Sequence, residues 1–239
     1  MKITDDQKNY VGRDLEAMAS AKNYYNWIVS EFGPYLKGNV AEVGAGAGTF
    51  TRYILSKGVD SLIAVEPSEE MFPILKDRMK DEGRVRVHHG FFHEAVRDYP
   101  ETLDTAIYIN VMEHVEHDLD ELKAVYKALK PGGHVCIYVP ALPWLYGTFD
   151  EQVGHYRRYT RKDLRDKLEA AGFEVKMLHY SDWVGIIPWL VSFRIFKKKD
   201  LAAGQVSIYD KLVIPLIRFQ ERFIKPPVGK NIWAVGKKA

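Results

Sequence analysis

The run Glu42-Val43-Gly44-Ala45-Gly46-Ala47-Gly48-Thr49 constrains this chain more than any other feature. It follows the short apolar run Val40 to Val43 and opens the helical pattern Thr49 to Ser56. That is a buried strand joined to a helix by three glycines on alternate positions. Glycine permits the tight turn and lets another group approach the backbone without meeting a Cβ. The helix N-terminus beyond it leaves unpaired N–H groups facing the same place. Further apolar runs follow at 62–65, 85–89, 105–109, 134–139, 173–178 and 231–235, with helical patterns at 68–81, 119–129 and 160–171 between them. Alternation of this kind predicts a doubly wound α/β fold around a mostly parallel sheet. Local signals mark the joints: Ser68 as a helix cap, Pro131-Gly132-Gly133 as a turn, Thr160 with Asp163 as a helix start and Gly172 as its end. Ahead of the first strand, residues 10–37 read as a helix with Leu15, Met18, Trp27, Ile28 and Phe32 as its apolar positions.

The spacing of the glycines narrows the ligand. A dinucleotide fingerprint is G-x-G-x-x-G, and its third glycine would fall at position 49, which is Thr49. An NAD-dependent oxidoreductase is therefore disfavoured, and no phosphate-binding lysine of the P-loop kind follows. The second strand ends in Val65-Glu66-Pro67-Ser68, with Glu66 lying 18 residues after Gly48. A carboxylate there can accept hydrogen bonds from both hydroxyls of a ribose.

Two more motifs complete a pattern, Asn110-Val111-Met112-Glu113-His114 and Leu129-Lys130-Pro131-Gly132-Gly133. Together these stretches resemble the class I S-adenosylmethionine-dependent methyltransferases, in particular the methyltransferase 11/12-type small-molecule group, over residues 10–180 and the last strand. The resemblance implies a Rossmann-like seven-stranded sheet, parallel except for one terminal strand. It implies S-adenosyl-L-methionine as cofactor, S-adenosyl-L-homocysteine as product, and in-line methyl transfer to a small-molecule acceptor. Carried over by position, Glu42, Gly44, Gly46, Gly48 and Thr49 surround the methionine and ribose portion, Glu66 and Pro67 the ribose, Met71 the adenine, and Asn110 the floor near the sulfonium. An Asp often found after the third strand is absent from His88-His89-Gly90-Phe91-Phe92-His93, which leaves Phe91 or Phe92 to stack on the adenine. A catalytically inactive cofactor-binding scaffold is the alternative within the same fold.

The acceptor side falls on Asp150-Glu151-Gln152-Val153-Gly154-His155-Tyr156-Arg157-Arg158-Tyr159-Thr160, after the fifth strand. Asp150, Tyr156, Arg157 and Tyr159 are candidates to bind a polar or anionic acceptor, joined by Tyr25 from the N-terminal helix. The same loop could equally be knitted by Arg–carboxylate pairs. His155 and His114 are the candidate general bases. The histidines and Asp118 fix no clear third ligand by spacing, so no metal is expected.

The chain divides into an N-terminal helical cover (1–37), the cofactor-binding core (38–182), a basic and apolar helical insertion (183–229) and the final strand (230–239). From Ile186 to the end, 11 Lys/Arg stand against 3 Asp/Glu, a net +8, and with +2 overall the first 185 residues carry −6. Within the insertion Ile208, Leu212, Leu216, Phe219 and Phe223 fall on one side of a helix, and Lys211, Arg218, Arg222 and Lys225 on another, with Pro215 interrupting. An acceptor lid, a homodimer contact and a membrane-surface helix all suit that pattern. Trp183 to Phe196 is too short to span a bilayer. A polar Met1–Asn9 opening and the lone Cys136, set in an apolar strand, lead us to expect a cytoplasmic protein, at most peripheral at the inner membrane surface, with no nucleic-acid partner.

Overall fold

The structure is a computed structural model that describes Met18, residues 20–97 and residues 100–239. The portion of the N-terminal helical reading before Met18, with Leu15, lies outside the described residues.

Seven strands form one sheet in the order β3-β2-β1-β4-β5-β7-β6. They are β1 (Asn39–Val43), β2 (Ser61–Glu66), β3 (Val85–His89), β4 (Leu103–Ile109), β5 (Leu129–Pro140), β6 (Glu174–Ser181) and β7 (Asn231–Lys237). The first five pair in parallel, while β7 runs antiparallel between β5 and β6. This is the doubly wound sheet anticipated from the alternation, and its one reversed strand is the one the family resemblance implied. The order turns back between β1 and β4, so a crevice opens beyond their carboxyl ends.

Each face of the sheet is covered by helices that present apolar stripes. On one side lie α1 (Lys22–Phe32), α2 (Thr49–Leu55) and α3 (Met71–Met79), which bury Trp27, Ile28, Phe32, Phe50, Ile54 and Leu75. The indole of Trp27 meets that of Trp233 edge-on at 5.6 Å. On the other side lie α4 (Phe92–Val96), α5 (Asp118–Ala128) and α7 (Arg161–Ala170), contributing Phe92, Leu122, Val125, Leu164 and Leu168. A short α6 (Thr148–Gln152) bridges β5 and the loop after it. Cys136 is buried in β5, as its apolar strand implied, and burial pushes its thiol up.

Two local readings change. Pro131-Gly132-Gly133 is not a turn before the strand but lies inside β5. The pairing with β4 jumps there from Leu103↔Leu129 to Thr105↔His134, so the extra residues are taken up as an irregularity in the strand. A Cβ at Gly133 would come within 3.1 Å of the Asp104 carbonyl oxygen, which explains the glycine. The helix expected over 68–81 spans only Met71–Met79, yet Ser68 still caps it, its hydroxyl accepting from the N–H groups of Glu70 (3.3 Å) and Met71 (3.2 Å).

The insertion is helical: α8 (Ile186–Trp189) continues into a wider turn over Leu190–Ile195, and α9 (Ala203–Ile208) runs through Tyr209–Val213 into α10 (Ile214–Glu221). Buried carboxylates fasten it to the core. Asp210 accepts the first-turn N–H groups of α1, from Asn23 (3.1 Å) and Tyr24 (2.8 Å). Glu221 accepts from the Asp182 N–H at 2.8 Å, and Lys230 pairs with Asp182 at 3.0 Å.

Candidate active site

The crevice is a cavity of about 1070 Å³, bounded by the glycine turn, the ends of β2 and β4, the loop after β5 and the insertion. Gly44 and Gly46 line it in left-handed backbone conformations, with φ of 71° and 55°. A Cβ on Gly44 would strike Val111 Cγ2 at 2.4 Å, so only glycine fits there. Glu42, Thr49, Glu66, Pro67, Phe91, Phe92 and Asn110 line the same space, as does Tyr25.

Glu66 does more than its position at a strand end suggests. Its Oε2 accepts the Gly46 N–H at 2.7 Å and its Oε1 the Ser68 N–H at 2.8 Å, so the carboxylate braces the glycine turn from inside. Burial raises its pKa, against those two hydrogen bonds. Each oxygen keeps a further lone pair for a hydroxyl of a ligand. Glu42 is buried, accepts the Thr51 hydroxyl at 2.6 Å, and is pushed up to about 8 by burial, partly offset by Thr51, with the charge of Glu66 adding to it. Asn110 takes a left-handed conformation (φ 53°), uncommon outside glycine, and donates from its side-chain amide to the Tyr24 hydroxyl at 3.1 Å. A glycine cradle, an inward carboxylate with spare acceptor capacity and an oriented amide match the groups of S-adenosylmethionine.

Two of the expected cofactor residues stand apart from the cavity. Gly48 caps α2 with φ 79°, and a Cβ there would press on Leu75 and Met79 at 3.0 Å, so helix packing alone already requires a glycine here. Met71 is buried at the start of α3 and does not line the cavity. Of the two phenylalanines, Phe92 is a core residue edge-on to Tyr108, which leaves Phe91 as the more accessible ring.

The acceptor loop separates in the same way. His155 and Tyr156 line the cavity, whereas Asp150, Arg157 and Tyr159 do not. Tyr159 is fully buried, its hydroxyl 2.8 Å from Asp118 Oδ2 and 2.9 Å from the Met112 carbonyl oxygen. Arg157 pairs with Asp118 at 2.9 Å and donates to the Glu116 carbonyl at 2.7 Å. Those two knit the loop to α5 instead of meeting an acceptor. Asp150 lies behind His155, its Oδ1 2.7 Å from Nδ1 and 2.9 Å from Arg158 Nε. Burial raises the Asp150 carboxyl, but the His155 hydrogen bond and the Arg158 charge outweigh it and hold it below the ordinary range. An ionised carboxylate only accepts, so Nδ1 donates to Asp150 and Nε2 is turned away from it.

Two neighbours of His155, Arg158 and Glu113, were not singled out by sequence. Arg158 is buried over the Trp189 ring at 4.7 Å. Glu113 is buried, with Oε1 3.9 Å from His155 Nε2. Trp189 brings the insertion to the same wall. His114 meets His155 edge-on at 4.6 Å, and burial together with that neighbour lowers its pKa to about 3. It is a neutral ring at physiological pH and a weak base. Glu113, His114 and His155 offer ligand atoms all within 4.8 Å of one another, a trio able to seat a cation. The spacing of the histidines alone did not reveal it, because His155 arrives from a distant loop.

A profile described as a methyltransferase domain matches residues 10–178. A ubiquinone biosynthesis O-methyltransferase of Aliivibrio fischeri is 23% identical over 111 residues, covering 46% of this chain and 47% of that protein, so the match spans about half of the relative. An S-adenosylmethionine-dependent methyltransferase from Archaeoglobus fulgidus superposes with a TM-score of 0.62 at 18% identity, over 91% of this chain and 94% of the other. A phosphoethanolamine N-methyltransferase 2 from Haemonchus contortus, in complex with phosphomonomethylethanolamine and S-adenosylhomocysteine, does so at 0.66 and 16% identity, over 98% and 59%. The chain belongs to the methyltransferase domain family and shares the fold of S-adenosylmethionine-dependent methyltransferases.

Proposed function

We propose that this enzyme methylates a small amphiphilic acceptor, anionic or lipid-linked, and that His155 takes the acceptor's proton. One observation carries the reading: His155, oriented by Asp150 at 2.7 Å, lines the same cavity as the glycine turn. Gly44, Gly46, Glu66 and Asn110 are the residues that would hold S-adenosylmethionine, which supplies a methyl group on a sulfonium that is already a good leaving group. The chain's own work is then positioning and proton handling. As the acceptor gains the methyl, its proton passes to His155 Nε2, and the imidazolium is stabilised by Asp150 and by Glu113 on its other side. His114, held neutral, orients rather than titrates.

The acceptor class follows from the walls. Phe149, Trp189 and Phe193 form an aromatic patch on the acceptor side, with Phe149 5.1 Å from Trp189 and 5.2 Å from Phe193. Of the cations at the cavity, Arg158 is paired with Asp150 and Lys230 with Asp182, which leaves Lys199 to favour an anionic group. Among relatives, one solved protein holds phosphomonomethylethanolamine and another is named for ubiquinone biosynthesis. A lipid-linked acceptor would be met at the surface of a membrane, whereas a water-soluble one such as phosphomonomethylethanolamine would not.

The test is to incubate the enzyme with radiolabelled methyl donor and an extract of the parent organism split into polar and lipid fractions. Label in the lipid fraction, with stoichiometric release of S-adenosylhomocysteine, is expected. Label confined to the polar fraction sinks the amphiphilic acceptor, and release from no fraction favours a cofactor-binding scaffold.

A further inference from the structure

We propose that the outer face of the insertion is a docking surface for an anionic lipid bilayer. The rod from Ile208 to Phe223 has three sides, where its sequence pattern suggested two. Asp210, Ile214, Ile217 and Glu221 point inward and are buried. Ile208, Leu212, Leu216, Phe219 and Phe223, the stripe that a lid would have packed against the core, instead face outward and are between 62% and 74% exposed. The Phe219 and Phe223 rings touch at 5.5 Å, making one continuous apolar ridge. The preceding limb adds Ile187, Ile195 and Phe196, at 61–70% exposed. Single exposed hydrophobic residues are ordinary, but a whole helical stripe marks a contact surface.

Charge identifies the occupant. Between 186 and 229 the chain has 8 Lys/Arg and 3 Asp/Glu. Asp210 and Glu221 are the two acids turned inward, so within the insertion Asp200 alone remains exposed beside Lys197, Lys198, Lys199, Lys211 and Arg222, while Lys225 pairs with Glu31 at 3.6 Å. A second copy docked on this face would set cations against cations. A bilayer with anionic lipids takes both components, the apolar ridge below the headgroups and the cations among the phosphates. No helix among the described residues is long and apolar enough to cross a membrane, so the contact lies along the surface. Ser192, Phe193, Val206 and Tyr209 of the same segments line the cavity, so docking brings its mouth to the headgroup region. That last step rests on the amphiphilic-acceptor reading; the docking does not.

The test is flotation of the wild-type protein with vesicles of phosphatidylcholine alone or mixed with phosphatidylglycerol. Binding to the anionic vesicles, weakening with added salt, is expected, with little binding to the neutral ones. Lys197→Gln, Lys198→Gln and Lys199→Gln together should lower the partition on the order of a hundredfold, each cation counting for about fivefold near the surface. Phe219→Ser with Phe223→Ser should lower it at least about tenfold, while calorimetric affinity for S-adenosylmethionine stays unchanged and certifies the fold. The proposal is overturned if the wild type ignores anionic vesicles at low salt, or if both variants float like the wild type. It is also overturned if sedimentation equilibrium shows a dimer that the phenylalanine variant splits, since the ridge would then be a self-contact. A water-soluble acceptor alongside intact vesicle binding would remove the acceptor reading and leave the docking standing.

Discussion

Replacing Glu66 by Ala should damage the fold and the ligand site together, by amounts the geometry allows one to separate. The carboxylate accepts from Gly46 N–H at 2.7 Å and Ser68 N–H at 2.8 Å, and is nearly inaccessible to water. Alanine leaves both buried donors without an acceptor, at about 1–3 kcal/mol each. The sum, about 2–6 kcal/mol, is a large share of the 5–15 kcal/mol that holds a typical domain. For a chain of this size it corresponds to a fall in Tm of roughly 5–20 °C. Loss of the charged contact to the ligand adds a separate cost of about 1.5–3 kcal/mol, roughly 10- to 150-fold in affinity. Thermal unfolding by circular dichroism without ligand reads the first term. Calorimetric titration with S-adenosylmethionine, at a temperature where the variant is folded, reads the second. A variant with wild-type Tm would show that the turn does not need its brace. Wild-type affinity in a folded variant would remove Glu66 from the site.

Other perturbations probe the remaining parts. His155→Ala should lower turnover about 10²- to 10⁴-fold with cofactor affinity unchanged, and near-normal turnover across pH would show that positioning alone suffices. Glu42 makes stability pH-dependent in a defined direction. Its folded pKa of about 8 lies above the usual 4.5, so the folded state holds the extra proton between those values, and stability is lost as pH rises toward 8. The slope from this group is at most about 1.4 kcal/mol per pH unit, and Glu42→Gln should flatten it in thermal melts; an unchanged profile would assign the dependence elsewhere. Dialysis against a chelator should leave turnover intact if His155 works as a base, whereas loss restored by a divalent cation would give Glu113, His114 and His155 to a metal.

Much of the fold was legible because its signals are local. Apolar runs bounded by Gly and Pro became β1 to β7, and the glycine turn with Glu66 marked the crevice. What sequence could not show depends on partners far along the chain. Gly48 looks like its neighbours in the motif, yet its Cβ position faces Leu75 and Met79 of another helix. Arg157 and Arg158 are adjacent, but one pairs with Asp118 near the surface while the other is buried on Asp150 beside the cavity. The insertion's inward face mixes Asp210 and Glu221 with Ile214 and Ile217, because its buried carboxylates bind backbone N–H groups of α1 and of Asp182. A helical wheel counts such residues as polar surface, and so the exposed ridge read equally well as a lid.

The central claim, that the glycine turn is where the methyl donor binds, is tested most directly by Gly46→Val. Gly46 lines the cavity at φ 55°, a conformation that a β-branched side chain resists, and its N–H sits on Glu66. Calorimetric titration of S-adenosylmethionine should show one-site binding to the wild type and none to a variant that circular dichroism shows to be folded. Equal affinity in the two proteins would place the cofactor somewhere other than this turn.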